Sequence, residues 1–215
     1  MEETLPPVAP GAGAALLARD SWRVFVALEL TGEARASVAA LLAGLQKDPI
    51  CRRAHVRWTA PGNVHLTLKF VERLPVDQLP AVQAALGGVA AAHRPFDLAL
   101  SAGGWFEHHG APGILWIGVR GDVDALAELT AGIERALAPL GLPAEERAFR
   151  PHVTVGRAGD PRDAVEAARA FVAAAPPVIG GPVATDSIVL FRSETRPQCA
   201  VHTPVWRARL GAALR

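Results

Sequence analysis

The chain has 215 residues, 50% of them hydrophobic, with 22 basic side chains against 21 acidic ones for a net charge of +1. This composition is ample for a packed core and excludes a chain disordered over its whole length. It also excludes a protein that grips nucleic acid through its overall field, so an anionic ligand must be held by a local patch. Two cysteines, Cys51 and Cys199, are too few for a disulfide framework and lack the paired spacing of a zinc site, which points to a reducing cytoplasm.

Residues 1–20 begin with Glu2 and Glu3 rather than a basic region. Pro6, Pro7, Pro10, Gly11 and Gly13 interrupt their apolar positions. They are expected to form a loose extension, not a signal peptide, ahead of one domain over 21–215. The Ala-rich run 81–92 falls well short of the roughly 20 apolar residues needed to cross a bilayer, so no membrane association is expected.

From Trp22 to Leu30 the β-branched and aromatic residues predict a buried strand. Thr31 then caps a helix whose Val38, Leu41, Leu42 and Leu45 recur at helical spacing, with Pro49 beyond its end. A short strand is expected from His55 to Trp58, and Pro61-Gly62-Asn63 reads as a turn. A helix with Leu79, Val82, Leu86 and Val89 on one face is predicted next, capped by Asp77 and ended before Pro95. Phe96 to Leu100 and Ile114 to Val119 predict two strands joined by a Gly-rich connection, Gly103 to Gly113. Asp122 opens a helix carrying Leu126, Leu129, Ile133 and Leu137, with Gly141 as its terminal glycine. Asp160-Pro161 starts another, with Val165, Ala168 and Val172 as the buried stripe. Pro176-Pro177 and Gly180-Gly181-Pro182 read as a linker to strands at Ser187 to Phe191 and Val205 to Leu210. The total is seven or eight strands and four helices. A duplicated order within it suggests a two-lobed α/β body with a cleft between the lobes.

One short pattern occurs twice on predicted strands: His65-Leu66-Thr67-Leu68-Lys69-Phe70 and His152-Val153-Thr154-Val155. Alternation puts His65, Thr67 and Lys69 on one face, with Leu66, Leu68 and Phe70 on the other. In the second copy His152 and Thr154 share a face. A lone histidine on a strand is usually no more than a surface or satisfied polar residue, but two copies, each entered from a proline-containing loop, are hard to ascribe to chance. Imidazole titrates near neutrality, so one ring can take a proton while the other gives one. At phosphorus, an in-line displacement needs the two on opposite sides of the phosphate, which separate strands supply. Thr67 and Thr154 can donate hydrogen bonds to the non-bridging oxygens.

Strict alternation turns Arg157 away from His152. A bulge at Gly156 would re-aim it toward a phosphate, and a solvated strand-end arginine is the equal alternative. Lys69 has the parity to counter phosphate charge. Arg52, Arg53, Arg57, Arg73, Arg147 and Arg150 flank the motifs as a candidate basic patch, and Phe25 and Trp58 are candidate stacking surfaces for a nucleobase, with packing the commoner role. His108-His109 lies in an exposed loop and suits a metal poorly. No metal-binding or Gly-rich phosphate-loop motif is present.

These motifs, with Arg23 to Leu28, Trp58, Leu115 to Val119, Phe149-Arg150-Pro151 and Leu190 to Ser193, resemble the 2H phosphoesterase superfamily. The similarity is greatest to its RNA 2′,3′-cyclic phosphodiesterase branch, also called 2′-5′ RNA ligase, and spans approximately Trp22 to Leu210. The resemblance implies an α/β (α+β) bilobal fold of two antiparallel sheets related by a pseudo-twofold about a central cleft, helices outside. It implies metal-independent hydrolysis of RNA 2′,3′-cyclic phosphate ends to 2′-phosphomonoesters. A monomer without a cofactor is expected. The resemblance also implies reversible 2′-5′ RNA ligation. His65 would be the proton donor and His152 the proton acceptor, with Thr67, Thr154 and Arg157 binding the phosphate. Alternatives are a non-catalytic RNA-end or nucleotide-binding module and a phosphodiesterase for small cyclic nucleotides. The chain departs from the family pattern at Val71-Glu72, where glycine is usual, and at Cys199 and His202.

Overall fold

The computed structural model describes residues 21–196 and 200–211. The extension 1–20 and Cys199 lie outside the described residues. Among the described residues nine strands form one sheet: β1 (Ser21–Glu29), β2 (Arg57–Trp58), β3 (His65–Pro75), β4 (Phe96–His108), β5 (Ala111–Gly121), β6 (His152–Arg157), β7 (Val178–Thr185), β8 (Ser187–Thr195) and β9 (Ala200–Arg209). The helices are α1 (Gly32–Leu45), α2 (Pro49–Arg53), α3 (Leu79–Ala92), α4 (Val123–Leu137) and α5 (Pro161–Ala174).

The sheet order is β7-β4-β5-β6-β3-β1-β8-β9, with β2 off this path on β6. Every pairing is antiparallel. The order is symmetric about its centre: each motif strand has a long partner outside it, then a hairpin or edge pair beyond. The series β1-α1-β3-α3 recurs as β5-α4-β6-α5, which is the duplication expected from sequence. The two halves of the sheet meet at one residue pair, Leu66 with Val153. Beyond it β2 replaces β3 as the neighbour of β6, so the halves diverge and leave a cleft.

Helix α1 follows β1 but packs on β7 of the other half, beside α5. Helix α4 follows β5 but packs on β3, with α3 between it and β9. Neither lobe is therefore a continuous piece of chain. The apolar stripe of α4 is wholly buried, with Leu126, Leu129, Ile133 and Leu137 at 0% exposure. Thr31 caps α1 by accepting from the Ala34 N–H at 3.4 Å, and Asp160 caps α5 by accepting from the Arg162 N–H at 2.9 Å.

Several expectations are corrected. Asp77 does not cap α3; it sits in a 3-10 turn, Val76–Gln78, that leads into the helix. The stretch from Gly103 to Gly113 is strand on both sides of a turn at His109 and Gly110, not a loop. Its glycines are there for packing: a Cβ on Gly104 would lie 2.4 Å from Trp116, and one on Gly103 would lie 2.7 Å from Phe171. The expected linker at 176–182 forms most of strand β7, which pairs with β4 as its one neighbour among the described residues. The buried stripe of α5 is Ala164, Ala167, Ala168 and Phe171, while Val165 is 40% exposed.

Candidate active site

Each motif strand carries one extra residue at the same place. Across β1, Val26 pairs with Lys69 and Ala27 with Thr67, so Leu68 is the inserted residue of a bulge. Across β5, Leu115 pairs with Gly156 and Trp116 with Thr154, so Val155 is inserted. A bulge reverses the facing of everything after it. Lys69 consequently points inward, at 5% exposure, and Phe70 points outward at 42%. The expected shared face of His65 and Lys69 is thus overturned. Lys69 donates to Glu134 and to the Pro143 carbonyl, both at 2.7 Å, and has no free charge for a ligand. Arg157, by the same step, turns to the face of His152. A Cβ on Gly156 would meet Trp58 at 2.9 Å, so the glycine admits the indole that backs this bulge.

Leu66 opposite Val153 sets the rest of the site. Continuing that antiparallel register puts His65 across from Thr154 and Thr67 across from His152, all on one face. The four motif side chains therefore form a square, with the imidazoles on one diagonal and the hydroxyls on the other. Both rings are fixed alike. His65 Nδ1 lies 2.7 Å from the Asn63 carbonyl and His152 Nδ1 lies 2.7 Å from the Arg150 carbonyl. A carbonyl only accepts, so Nδ1 carries the hydrogen in each, and Nε2 is left for proton transfer in the cleft. Asn63 is itself tied to β9 by a 2.8 Å bond from Nδ2 to the Ala200 carbonyl.

Aromatic rings hold the imidazoles from below and beside. His65 stacks on Phe25 at 4.4 Å between centroids, and Phe25 stacks on Phe191 at 5.1 Å. His202 from β9 meets the edges of both His65 and Phe25, at 5.4 and 4.9 Å. His152 is met edge-on by Phe106 at 4.9 Å, and Phe106 packs on Trp116 at 5.3 Å. Phe25, at 2% exposure, is a support for His65 and not a nucleobase platform. Trp58 likewise packs toward Phe171.

Burial pulls the His65 imidazole from its ordinary 6.5 to about 4; the Asn63 carbonyl opposes this, and positive charge on His202 or His152 reinforces it. Burial also lowers His152, opposed by the Arg150 carbonyl and reinforced by the Arg150 and Arg157 guanidinium groups. The His65 ring thus senses charge on His152, and the His152 ring senses the Arg157 guanidinium. His202 is lowered by burial and by Arg23.

The flanking arginines divide by their partners. Arg53 is engaged by Asp163 at 3.3 Å and Glu166 at 3.0 Å. Arg52, Arg73 and Arg147 are exposed. Arg57, Arg150 and Arg157 have no ion pair among the described residues. Arg150 lies 5.0 Å from the Phe106 ring centre, beside His152. Sequence reasoning misses Phe70, over which the Arg23 guanidinium sits at 4.7 Å, and treats His202 only as a departure. The signal for Phe70 is the matching offset: it follows His65 by five residues, as Arg157 follows His152. Among the described residues, no group of three or more His, Cys, Asp or Glu is disposed to hold a metal, and no helix is long and apolar enough to cross a membrane.

A mixed α/β sheet with a duplicated His-x-Thr cleft defines a class. The chain belongs to the 2′-5′ RNA ligase superfamily, whose family model matches residues 23–196. A relative from Methanothermobacter thermautotrophicus, named RNA 2′,3′-cyclic phosphodiesterase, is 25% identical over 188 residues, covering 87% of this chain and 98% of that protein. A Geobacillus stearothermophilus relative of the same name is 32% identical over 133 residues, but the match spans 62% of this chain and 41% of that protein. The crystal structure of TT0787 from Thermus thermophilus superimposes with a TM-score of 0.69 at 25% identity, covering 88% of this chain and 98% of that one. Escherichia coli LigT, crystallised with 3′-AMP, shares the fold with a TM-score of 0.70 at 24% identity, covering 89% and 99%.

Proposed function

We propose that the protein hydrolyses RNA 2′,3′-cyclic phosphate ends to 2′-phosphomonoesters, with His152 as proton acceptor and His65 as proton donor. The observation that carries this reading is the Leu66 to Val153 register, which sets two imidazoles diagonally across one face with both Nε2 atoms free. The names of the relatives point to the same reaction.

In the proposed sequence, the cyclic phosphate sits over the square. His152 Nε2 takes a proton from water as the water oxygen bonds to phosphorus. The P–O3′ bond breaks on the opposite side, and the departing oxygen takes the His65 proton, leaving the phosphate on O2′. Thr67 and Thr154 donate to the non-bridging oxygens, and Arg157 adds charge to the same anion. Burial keeps both rings neutral in the free protein near pH 7, but a phosphate anion between them favours the protonated form of His65. The imidazole pair supplies both proton transfers, so the reaction calls for no metal or cofactor. Run in the same direction with a ribose 5′-hydroxyl in place of water, the steps join ends through a 2′-5′ linkage: the O5′–P bond forms, P–O3′ breaks, and O3′ takes the His65 proton. We read the protein as a cytoplasmic monomer, on its scarcity of cysteines and a cleft formed within one chain.

The test is to incubate the protein with a cyclic-phosphate oligonucleotide in EDTA and identify the product by phosphorus NMR. A 2′-phosphate is expected. A 3′-phosphate, or activity that returns only on adding a metal, would overturn the assignment.

A further inference from the structure

We infer that the cavity beside β2 seats a second phosphate, that of the linkage adjoining the reacting end, so that the preferred substrate is an oligonucleotide and not a free cyclic nucleotide. The inference rests on the proposed cleft chemistry and adds a substrate subsite to it.

Strand β2 pairs Arg57 with Arg157 and Trp58 with Gly156. Directly opposed residues of an antiparallel pair share a face. Since the bulge at Val155 turns Arg157 to the cleft, Arg57 points to the cleft side as well, while Trp58 is held on the other face against Gly156. Beyond Arg57 opens a cavity of about 710 Å³, lined by His55, Arg57, Gly159, Asp160, Pro161 and Arg162. Arg157 and Thr154 stand opposite Ile114 and Trp116, two residues apart on β5, so roughly 7 Å separates them along the strand. The reacting phosphate, held at Thr154, does not extend into this cavity; the next linkage of a bound strand does.

The charge of the lining favours an anion. Asp160 is its only carboxylate and is already engaged, accepting from the Arg162 N–H as the α5 cap. Arg57 and Arg162 have no ion pair among the described residues, in contrast to neighbouring Arg53. The cavity wall is also rigid. The Gly159 and Asp160 N–H groups both donate to the Ala54 carbonyl, at 3.2 and 3.1 Å, and a Cβ on Gly159 would fall 2.8 Å from the His55 carbonyl. Two guanidinium groups without ion pairs on a hydrogen-bonded wall, one of them paired in register with Arg157, suit a phosphodiester.

The experiment compares the wild type with the Arg57→Ala/Arg162→Ala double variant on a cyclic-phosphate trinucleotide and on a mononucleotide 2′,3′-cyclic phosphate, over a range of salt. Both arginines are exposed, so folding is not at stake. The wild type is expected to favour the trinucleotide by about tenfold in kcat/KM, and the double variant to lose most of that preference. The log–log salt slope for the trinucleotide should shrink by about 0.7, the share of a single neutralised phosphate. Equal rates on both substrates by the wild type, or an unchanged ratio in the variant, would overturn the subsite. If the wild type hydrolyses neither substrate, the proposed reaction fails. Fluorescence anisotropy with a 3′-phosphorylated trinucleotide then decides the subsite alone: weaker binding by the double variant supports it, and unchanged binding overturns it.

Discussion

Leu66 and Val153 face one another across β3 and β6, the one pair through which the two halves of the sheet are joined. Neither side chain reaches the cleft; both are buried, at 2% and 0% exposure. Their packing nevertheless fixes where His65 and His152 stand, because each histidine is the residue just before a partner in that pair. A shift of register by one residue would send one imidazole to the core side. The geometry of the proposed acid–base pair is thus a consequence of an apolar contact.

The first prediction concerns pH and rate. Burial lowers both imidazoles, His65 to about 4. The proposed working form has one ring protonated and one neutral, and it is most populated between the two macroscopic values. In the free protein both values lie below the ordinary 6.5, so kcat/KM is expected to peak below pH 6.5. The profile of kcat should lie further toward alkaline pH, since bound phosphate raises both rings. A kcat/KM optimum above pH 7.5 would contradict the burial argument.

Stability should also respond to His65. Its folded value is depressed, so the unfolded chain binds the proton more readily. The stabilisation is complete above pH 6.5 and is lost as pH falls toward about 4. The gap corresponds to about 3 kcal/mol. Urea denaturation at pH 7 and pH 4 should show a clearly smaller acid loss in His65→Phe, which keeps a ring stacked on Phe25. An equal loss in the variant would remove His65 as the cause.

Lys69 is expected to act on stability and not on chemistry. Its ammonium is buried between Glu134 and the Pro143 carbonyl. Lys69→Met leaves Glu134 without its partner and should cost about 3 kcal/mol. Adding Glu134→Gln should restore part of that. Rates per folded molecule should stay within about twofold, since a contact to the reacting phosphate would have been worth more. Loss of turnover in a stable Lys69→Met protein would return the lysine to the cleft.

Gly156 should be intolerant of even one methyl group. The added carbon of Gly156→Ala would press on Trp58 at 2.9 Å. The expected cost is about 1–3 kcal/mol, with a raised KM as the bulge that aims Arg157 moves. Trp58→Leu in the same chain should recover part of the stability. Unchanged stability and KM in Gly156→Ala would show that the bulge does not depend on this close approach.

The sequence displayed the site's polar square more clearly than its surroundings. Two His-x-Thr patterns on alternating strands are local signals, and local helical periodicity likewise marked α1, α3 and α4. The facing of Lys69 and Phe70 was not legible, because an inserted residue leaves an alternating pattern intact and shows itself only in pairing with β1. The Gly103 to Gly113 stretch misled for a related reason: its glycines make room for Trp116 and Phe171, which arrive from other elements. Likewise β7 is a strand despite Gly180-Gly181-Pro182 because β4 offers it an edge. His202 comes to His65 from the far side of the lobe, and no spacing in the chain announces such a meeting.

The most direct test of the two-imidazole cleft is single-turnover hydrolysis of a 2′,3′-cyclic phosphate by His65→Ala and His152→Ala, with circular dichroism to confirm the fold. Each variant is expected to lose a factor of about 10²–10⁴, the worth of one general acid or base, and the double variant little more than the worse single one. A folded variant that keeps a tenth or more of the wild-type rate would contradict the assignment of that histidine.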